Sequence, residues 1–390
     1  MGEEVSIKER ESLSVMITVI KDGRKATLSI ADDDVGEIRS RLEAVCKTLP
    51  FVTPDEDVSV PDIRDSVDAD DRRFDYSGVT SENLSAEFEK IRGFRYPEGV
   101  LIESFSFEVE ESERMFVNSH GAAKRYAKSA SHWGVELFLP TESGGDAWYD
   151  SLSFPEFVGV DEKTVKEVSD RLLAMSSPVE ATFASGTATV ALESGVFSEF
   201  LDILCGAVTA ENVRQKTTFL ERSDLGKPLL PKGFSLRSAA RLPDSAYGRL
   251  FDGEGITTED LDVVSDGIWK NFFSDSKNAK KFDIPTTGNP GPSNLVFEAP
   301  VRPEALTEAN FLFTNLMAFH TVDSISGKFA LEGEGFELKN GKPVGYVKNV
   351  ALSGNVKDLF ANLVAETGNR RRHGNVVTGD VVVSGLSVNV

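Results

Sequence analysis

Apolar and polar positions alternate along Ser14–Ile20 (SVMITVI), break at KDGR and resume through KATLSI, which predicts a β-hairpin. The period then lengthens. Val35, Ile38, Leu42, Val45, Cys46 and Leu49 mark an amphipathic helix, with acidic N-cap candidates at Asp32–Asp34 and a stop at Pro50. Thr53–Gly78 is acidic and contains proline, and reads as an exposed linker. A calcium loop in DADDRRFDYSG is rejected, because Arg73 takes the position that needs glycine and no glutamate closes it. Leu84, Phe88 and Ile91 share one face of a short helix. A period of two follows in ESFSFEVEESERMFVNSHG and again in HWGVELFLP, predicting strands. Asp161–Ala174 carries Val165, Val168 and Leu172 at helical spacing, and TATVAL is a strand leading into ESGVFSEFLDILCGAVTA (Glu193–Ala210), a largely apolar helix.

Beyond Gln215 the chain is richer in glycine and β-branched residues, as in DVVSDGIWKNFF, GFELKNGKPVGYVKNVALSG and GDVVVSGLSVNV. Antiparallel strands should dominate there, with KNGKP as a tight turn and SGNVKDLFANLVAETGN as a short amphipathic helix. No repeat of solenoid period and no low-complexity segment interrupts the pattern. The expected fold class is α+β. It divides into an N-terminal α/β subdomain with its acidic linker (1–78), a central mixed α+β segment (79–192) and a C-terminal domain of curved, barrel-like antiparallel sheet (193–390).

Length supports this partition, since 390 residues suffice for two or three domains. The net charge of −21 disfavours direct binding to nucleic acid or to an anionic membrane. The densest basic run, NRRRHGN (Asn369–Asn375), reads as a solvated loop. Cys46 and Cys205 fall at apolar helical positions and read as small buried hydrophobes. The opening MGEEVSIKERESLS is charged throughout, and no apolar run approaches the length of a membrane span, so a cytoplasmic location is expected.

No complete catalytic set is visible. The four histidines, His120, His132, His320 and His373, are too far apart in sequence for a helical metal pair. Cys-x-x-Cys, a phosphate loop and a G-x-S-x-G elbow are all missing, and DGEG (Asp252–Gly255) reads as a turn. His120 reads as a turn residue. His320 draws more attention, because it lies in a loop rich in small polar residues between an apolar helix end and a strand.

A resemblance then enters through the C-terminal half. LFDGEGITTEDLDVVSDGIWKNFFSDSKNAKKFDIPTTGN and FTNLMAFHTVDSISGKFALEGEGFELKNGKPVGYVKNVALSGNVKDLFANLVAETGN resemble the TldD/PmbA (modulator of DNA gyrase) family. The most specific block is EGFELKNGKPVGYVKNVALSGNVKDLF, and RMFVNSHGAAKRY and QKTTFLERSDLGKPLLP are similar to the PmbA (TldE) branch. Against the family pattern, the first domain reads as abbreviated.

The resemblance implies a two-subunit cytosolic peptidase acting on unfolded or modified peptides. One subunit carries zinc on an H-E-x-x-x-H helix with a late cysteine, and the other lacks those ligands. In this chain SEFLDI sets Ser198, Glu199 and Ile203 at the three motif positions, and no cysteine follows Cys205. Neither serine nor isoleucine replaces a neutral imidazole on zinc. Glu199 is thus a vestigial motif position, no metal or other cofactor is expected in this chain, and zinc is expected in a TldD-like partner. Exposed strand edges would hold peptide backbone. His320, Thr321, Ser326, Gly327, Lys328, Gly333, Gly335 and Phe336, where the family-like motifs cluster, are the expected substrate-binding residues. The alternative is a stand-alone homodimer that binds peptides, or regulates, without peptidase activity.

Overall fold

The structure, a computed structural model, describes residues 8–31, 36–70, 73–74, 79–141 and 144–390. The N-cap candidates Asp32–Asp34 and most of the DADDRRFDYSG stretch lie outside the described residues. Strands β1 (Ser14–Lys21) and β2 (Arg24–Ala31) form the expected hairpin. Its turn places both Asp22 and Gly23 at positive φ, the geometry that matches the twist of paired strands. Helix α1 (Ile38–Thr48) leans on β2 and has no buried residue, so Cys46 is exposed rather than packed. The small hairpin offers this helix too little surface to cover a full apolar stripe.

The acidic stretch that follows is tied down. Asp55 and Asp57 receive Lys281 at 3.0 and 3.3 Å, and β3 (Ser66–Asp70) pairs in parallel with a strand of the central sheet. That sheet is built on a long hairpin, β4 (Leu101–Val117) and β5 (Ala123–Leu139), with β6 (Asp146–Phe154) antiparallel to β5. Helices α2 (Ser81–Gly93) and α3 (Glu162–Met175) accompany it. Thr80 and Asp161 cap them, their side chains accepting backbone N–H groups of the first turn. Ile91, Val165, Val168 and Leu172 meet Trp133, Val135 and Leu137 in one core. The opposite face of β5 is also covered, with Tyr126 edge-on to Phe251 at 5.1 Å. A strand covered on both faces loses its alternation, which is why β5 shows only its last part to a period count.

The C-terminal sheet begins with β7 (Gly186–Leu192), followed by helices α4 (Ser194–Ala207) and α5 (Ala210–Gln215). Then come β8 (Ser235–Ala239), β9 (Leu261–Ser265), β10 (Ile268–Trp269), α6 (Ser276–Phe282), β11 (Asn294–Glu298) and β12 (Phe311–Leu316). The chain ends with β13 (Lys328–Lys339), β14 (Lys342–Asn355), α7 (Val356–Ala361), β15 (Leu363–His373) and β16 (Val376–Asn389). Nine strands run in the order β10-β9-β8-β11-β16-β14-β13-β12-β7; β15 joins β16, which also reaches β7. The sheet is strongly curled, but as a whole it is not closed as a barrel, and β10 remains an edge.

Two further expectations are corrected. The predicted helix through Asn369 stops at Ala361, and from Leu363 the residues pair with β16. NRRRHGN is consequently part of a strand and its turn, not a solvated loop: Arg370 donates to Phe297 O, Arg371 meets Glu167 at 3.0 Å and Arg372 meets Asp244 at 3.0 Å. Helix α4 packs against β12, β15 and β16, with Phe197, Phe200, Leu201 and Leu204 fully buried. Phe197 stands edge-on to Phe297, and Phe200 edge-on to Phe319. Each such side chain contributes roughly 1.5–3 kcal/mol of apolar burial.

Candidate functional site

A cavity of about 690 Å³ opens where the central unit meets the curled sheet. Its walls come from β6 (Trp148, Asp150), α3 (Glu167, Arg171), the first turn of α4 and the end of β12, with Phe336 of β13 and the end of β15. The change from strand β7 to helix α4 within two residues puts Glu193, Ser194 and Gly195 at the cavity. Ser194 N–H donates to Asp380 at 2.8 Å, so a carboxyl caps the helix from a distant strand.

Three interactions organise the floor. The Arg171 guanidinium forms a fork on Glu193, with contacts of 3.1 and 2.7 Å, and its face lies 5.1 Å from the Trp148 ring. Ser194 Oγ and His373 Nε2 share a hydrogen bond of 2.9 Å. The His373 ring also sits 3.3 Å from where a Cβ on Gly195 would fall, so glycine there admits the imidazole.

Burial lowers the His373 pKa and outweighs the opposing pull of Glu193, leaving a neutral ring at neutral pH. Burial pushes Asp380 up to about 6, against the hydrogen bonds from Ser194 and Asn369 that favour the charged form. Asp150, also on the wall, is raised by burial as well. The site therefore combines carbonyl and carboxylate acceptors, a neutral imidazole and aromatic faces. β6 is paired only with β5 among the described residues, so its free edge can accept an extended backbone.

The expected site residues divide into two groups. Glu199 is exposed on α4 at the cavity, and Phe336 lines it, edge-on to Tyr346. Gly333 and Gly335 are buried in the wall's construction. A Cβ on Gly335 would fall 1.9 Å from Leu312 O and one on Gly333 2.6 Å from Asn315 O, so these glycines allow β12 to approach β13.

His320, Thr321, Ser326 and Gly327 lie in the adjoining turn and Lys328 opens β13, all outside the lining. His320 follows β12 rather than a helix, within the 3-10 turn Phe319–Thr321. Asp323 organises this turn, accepting from Ile325 N–H, Ser326 N–H and Ser326 Oγ–H. Ser194, Arg171, His373 and Asp380 had escaped sequence reasoning. The usable signal was the abrupt strand-to-helix junction at LESG, together with a histidine at the end of a basic run.

The residues at the motif positions do not fit a zinc ion. Ser198 is buried, donating to Gly195 O at 2.6 Å, while Ile203 packs on the core beneath α4. α4 is an uninterrupted α-helix, so positions five apart point about 140° away from each other. Glu199 has a second carboxylate, Asp202, beside it and no imidazole, and His373 is engaged with Ser194. Among the described residues no group of three or more His, Cys, Asp and Glu is placed to hold a metal.

The strand-to-helix site thus belongs to an α+β protein built on a large curled sheet that is mainly antiparallel, with β7–β12 and β11–β16 paired in parallel, and comparison with known proteins assigns its family. Residues 185–390 match the PmbA/TldA metallopeptidase C-terminal domain, and the chain belongs to that family. It is 27% identical to Metalloprotease PmbA of Escherichia coli O157:H7, over 99% of this chain and 88% of that one. A PmbA homolog of Haemophilus influenzae is 24% identical, over 95% of this chain and 84% of the relative. Among solved structures, a modulator of DNA gyrase from Bacteroides thetaiotaomicron superposes with a TM-score of 0.84 at 20% identity, covering 96% of this chain and 87% of the other. TldE from Thermococcus kodakarensis gives 0.78 at 18% identity, with 97% and 90% covered. At these identities the two structures show a shared fold.

Proposed function

We propose that this chain is the non-zinc, TldE/PmbA-type subunit of a cytoplasmic TldD/TldE-type metallopeptidase that acts on unfolded or modified peptides. The observation that carries this reading is α4. In a chain of a metallopeptidase family, this helix offers Ser198 and Ile203 at the positions where the family resemblance sets imidazoles, beside Glu199. A TldD-like partner would supply the metal and its activated water.

This chain's part is to shape the chamber and hold substrate. An extended peptide adds to the free edge of β6, with its side chains against Trp148, Phe336 and the Ser194–His373 pair. Main-chain pairing of this kind tolerates many sequences, as a peptidase for unfolded chains requires. The turn His320–Lys328, with Gly333–Phe336, faces the partner's zinc in this reading. No helix among the described residues is long and apolar enough to cross a membrane, which is compatible with a cytoplasmic complex.

The test is affinity co-purification with a zinc-bearing homologue, comparing wild type with a His320→Ala, Lys328→Ala double variant. Weakened partner retention or a reduced joint peptidase rate is expected. If the variant leaves both unchanged, the turn has no part in the assembly.

A further inference from the structure

The cavity between the central unit and the curled sheet is unevenly charged, and the imbalance bears on what it would hold. Five carboxylates line it, against two guanidinium groups and the neutral His373. Both guanidinium groups are committed, Arg171 to Glu193 through its fork and Arg371 to Glu167 at 3.0 Å. Asp170 is matched by Lys166, one turn earlier on α3. Two carboxylates remain, Asp150 on β6 and Glu199 on α4. Asp150 accepts the N–H of its own neighbour Ser151 at 2.8 Å and makes no ion pair among the described residues. Glu199 is exposed and has neither a hydrogen bond nor an ion pair among the described residues.

Both carboxylates stand in a field that a cation would relieve. Burial, with smaller additions from the charges of Glu167 and Glu193, raises the Asp150 pKa against the pull of Ser151 N–H and Arg371. On α4, the Glu199 charge adds to the burial that raises Asp202, one turn further along. An entering cation lowers these costs, and an entering anion deepens them. The cavity also shows how it holds a cation of its own. The Arg171 guanidinium is bound by the Glu193 carboxylate and lies 5.1 Å from the Trp148 ring and 5.9 Å from the Phe336 ring.

Strand geometry says where a substrate cation would arrive. Trp148 and Asp150 are two residues apart on β6, so they share one face of the strand, and both line the cavity. In a peptide added to the β6 edge, one side chain falls beside Asp150 and the one two residues away falls beside Trp148. We propose that the cavity selects peptides carrying a lysine or arginine two positions from an apolar or aromatic residue, with Asp150 and Glu199 receiving the cation. The selection rests on the peptide-holding role proposed above and narrows its substrate class. Peptide side chains on the opposite face stay unselected, so main-chain pairing keeps its tolerance elsewhere.

The experiment is calorimetric titration of the full chain with proline-free nonapeptides whose centres read Lys-Thr-Phe, Gln-Thr-Phe or Glu-Thr-Phe, each also in reversed order. Acetylated and amidated ends remove the terminal charges. In at least one order the lysine peptide should bind about tenfold more tightly than the glutamine peptide, as a charge-assisted hydrogen bond outweighs a neutral one. The glutamate peptide should bind more weakly still. Asp150→Asn and Glu199→Gln keep side-chain shape and break no ion pair among the described residues, so both should fold with the wild-type Tm. Each should cut the lysine preference to about threefold or less while leaving the glutamine peptide's affinity unchanged, which a structural defect would not do. Glu304→Gln, exposed and outside the lining, should keep the preference. Equal binding of the lysine and glutamine peptides would overturn the selection and leave the peptide-holding role standing. An undiminished preference in both Asp150→Asn and Glu199→Gln would overturn the assignment to these carboxylates. No saturable binding by any peptide would overturn the selection and the peptide-holding role together.

Discussion

Arg171 and Glu193 are joined by a two-pronged ion pair that links α3 of the central unit to the residue capping α4 of the curled sheet. The guanidinium is also stacked on Trp148, so one side chain fixes three walls of the cavity. Both partners are largely buried, at 15% and 25% side-chain exposure, which sets this pair apart from surface bridges worth little. Arg171→Ala leaves the Glu193 carboxylate without its counter-charge. A loss of about 2 kcal/mol is expected, between the values for exposed and fully buried pairs. Urea unfolding checks it, and Arg171→Lys should recover only part, since an ammonium cannot form the fork.

Gly335 predicts a second, purely steric effect. A Cβ there would overlap Leu312 O, a backbone atom that cannot swing away. Gly335→Ala should cost about 1–3 kcal/mol and loosen the β12–β13 pairing that carries the cavity wall. Hydrogen exchange of β12 amides, compared with those of β9, would locate the damage.

Asp380 gives a pH signature. An unfolded aspartate titrates near about 3.9, and in the folded chain burial raises this one to about 6. Between those values the folded state holds the extra proton, so the group's contribution is fully present below about pH 4 and is lost as pH rises through about 6. Asp380→Asn removes that dependence. Relative to wild type, the variant should gain roughly 2–3 kcal/mol between pH 4 and pH 7. Denaturant melts at several pH values measure this, and a constant offset from altered hydrogen bonding does not disturb the slope. A flat difference would show that Asp380 titrates normally.

The legible parts of the fold were those with one exposed face or a strong local turn. The β1–β2 hairpin, α2 and α3 kept clean periods, and Asn340 and Gly341 take the positive φ that KNGKP demands. What stayed hidden was decided by partners far along the chain. The first part of β5 is covered on both faces, and β3 in its acidic stretch pairs with it across more than fifty residues. Leu363–His373 looks helical or solvated until β16 is placed beside it. The site followed the same rule. Phe336 and Glu199 were accessible to motif matching, whereas Ser194 and His373 meet only because α4 and β15 converge at 2.9 Å.

Metal content provides a further check. The donor set on α4 predicts less than one zinc per purified chain and no change in Tm on adding a chelator. Elemental analysis of the isolated chain measures this, and one tightly held equivalent would contradict the reading of Ser198 and Ile203.

The most direct measurement is peptidase activity on an unfolded peptide, using this chain alone, a zinc-bearing TldD-like homologue alone, and the two together. The account predicts negligible hydrolysis by this chain, and hydrolysis by the mixture well above that of the homologue alone. Trp148→Ala or Phe336→Ala in this chain should lower the mixture's rate. Metal-dependent hydrolysis by this chain alone, or no gain on mixing, would contradict it.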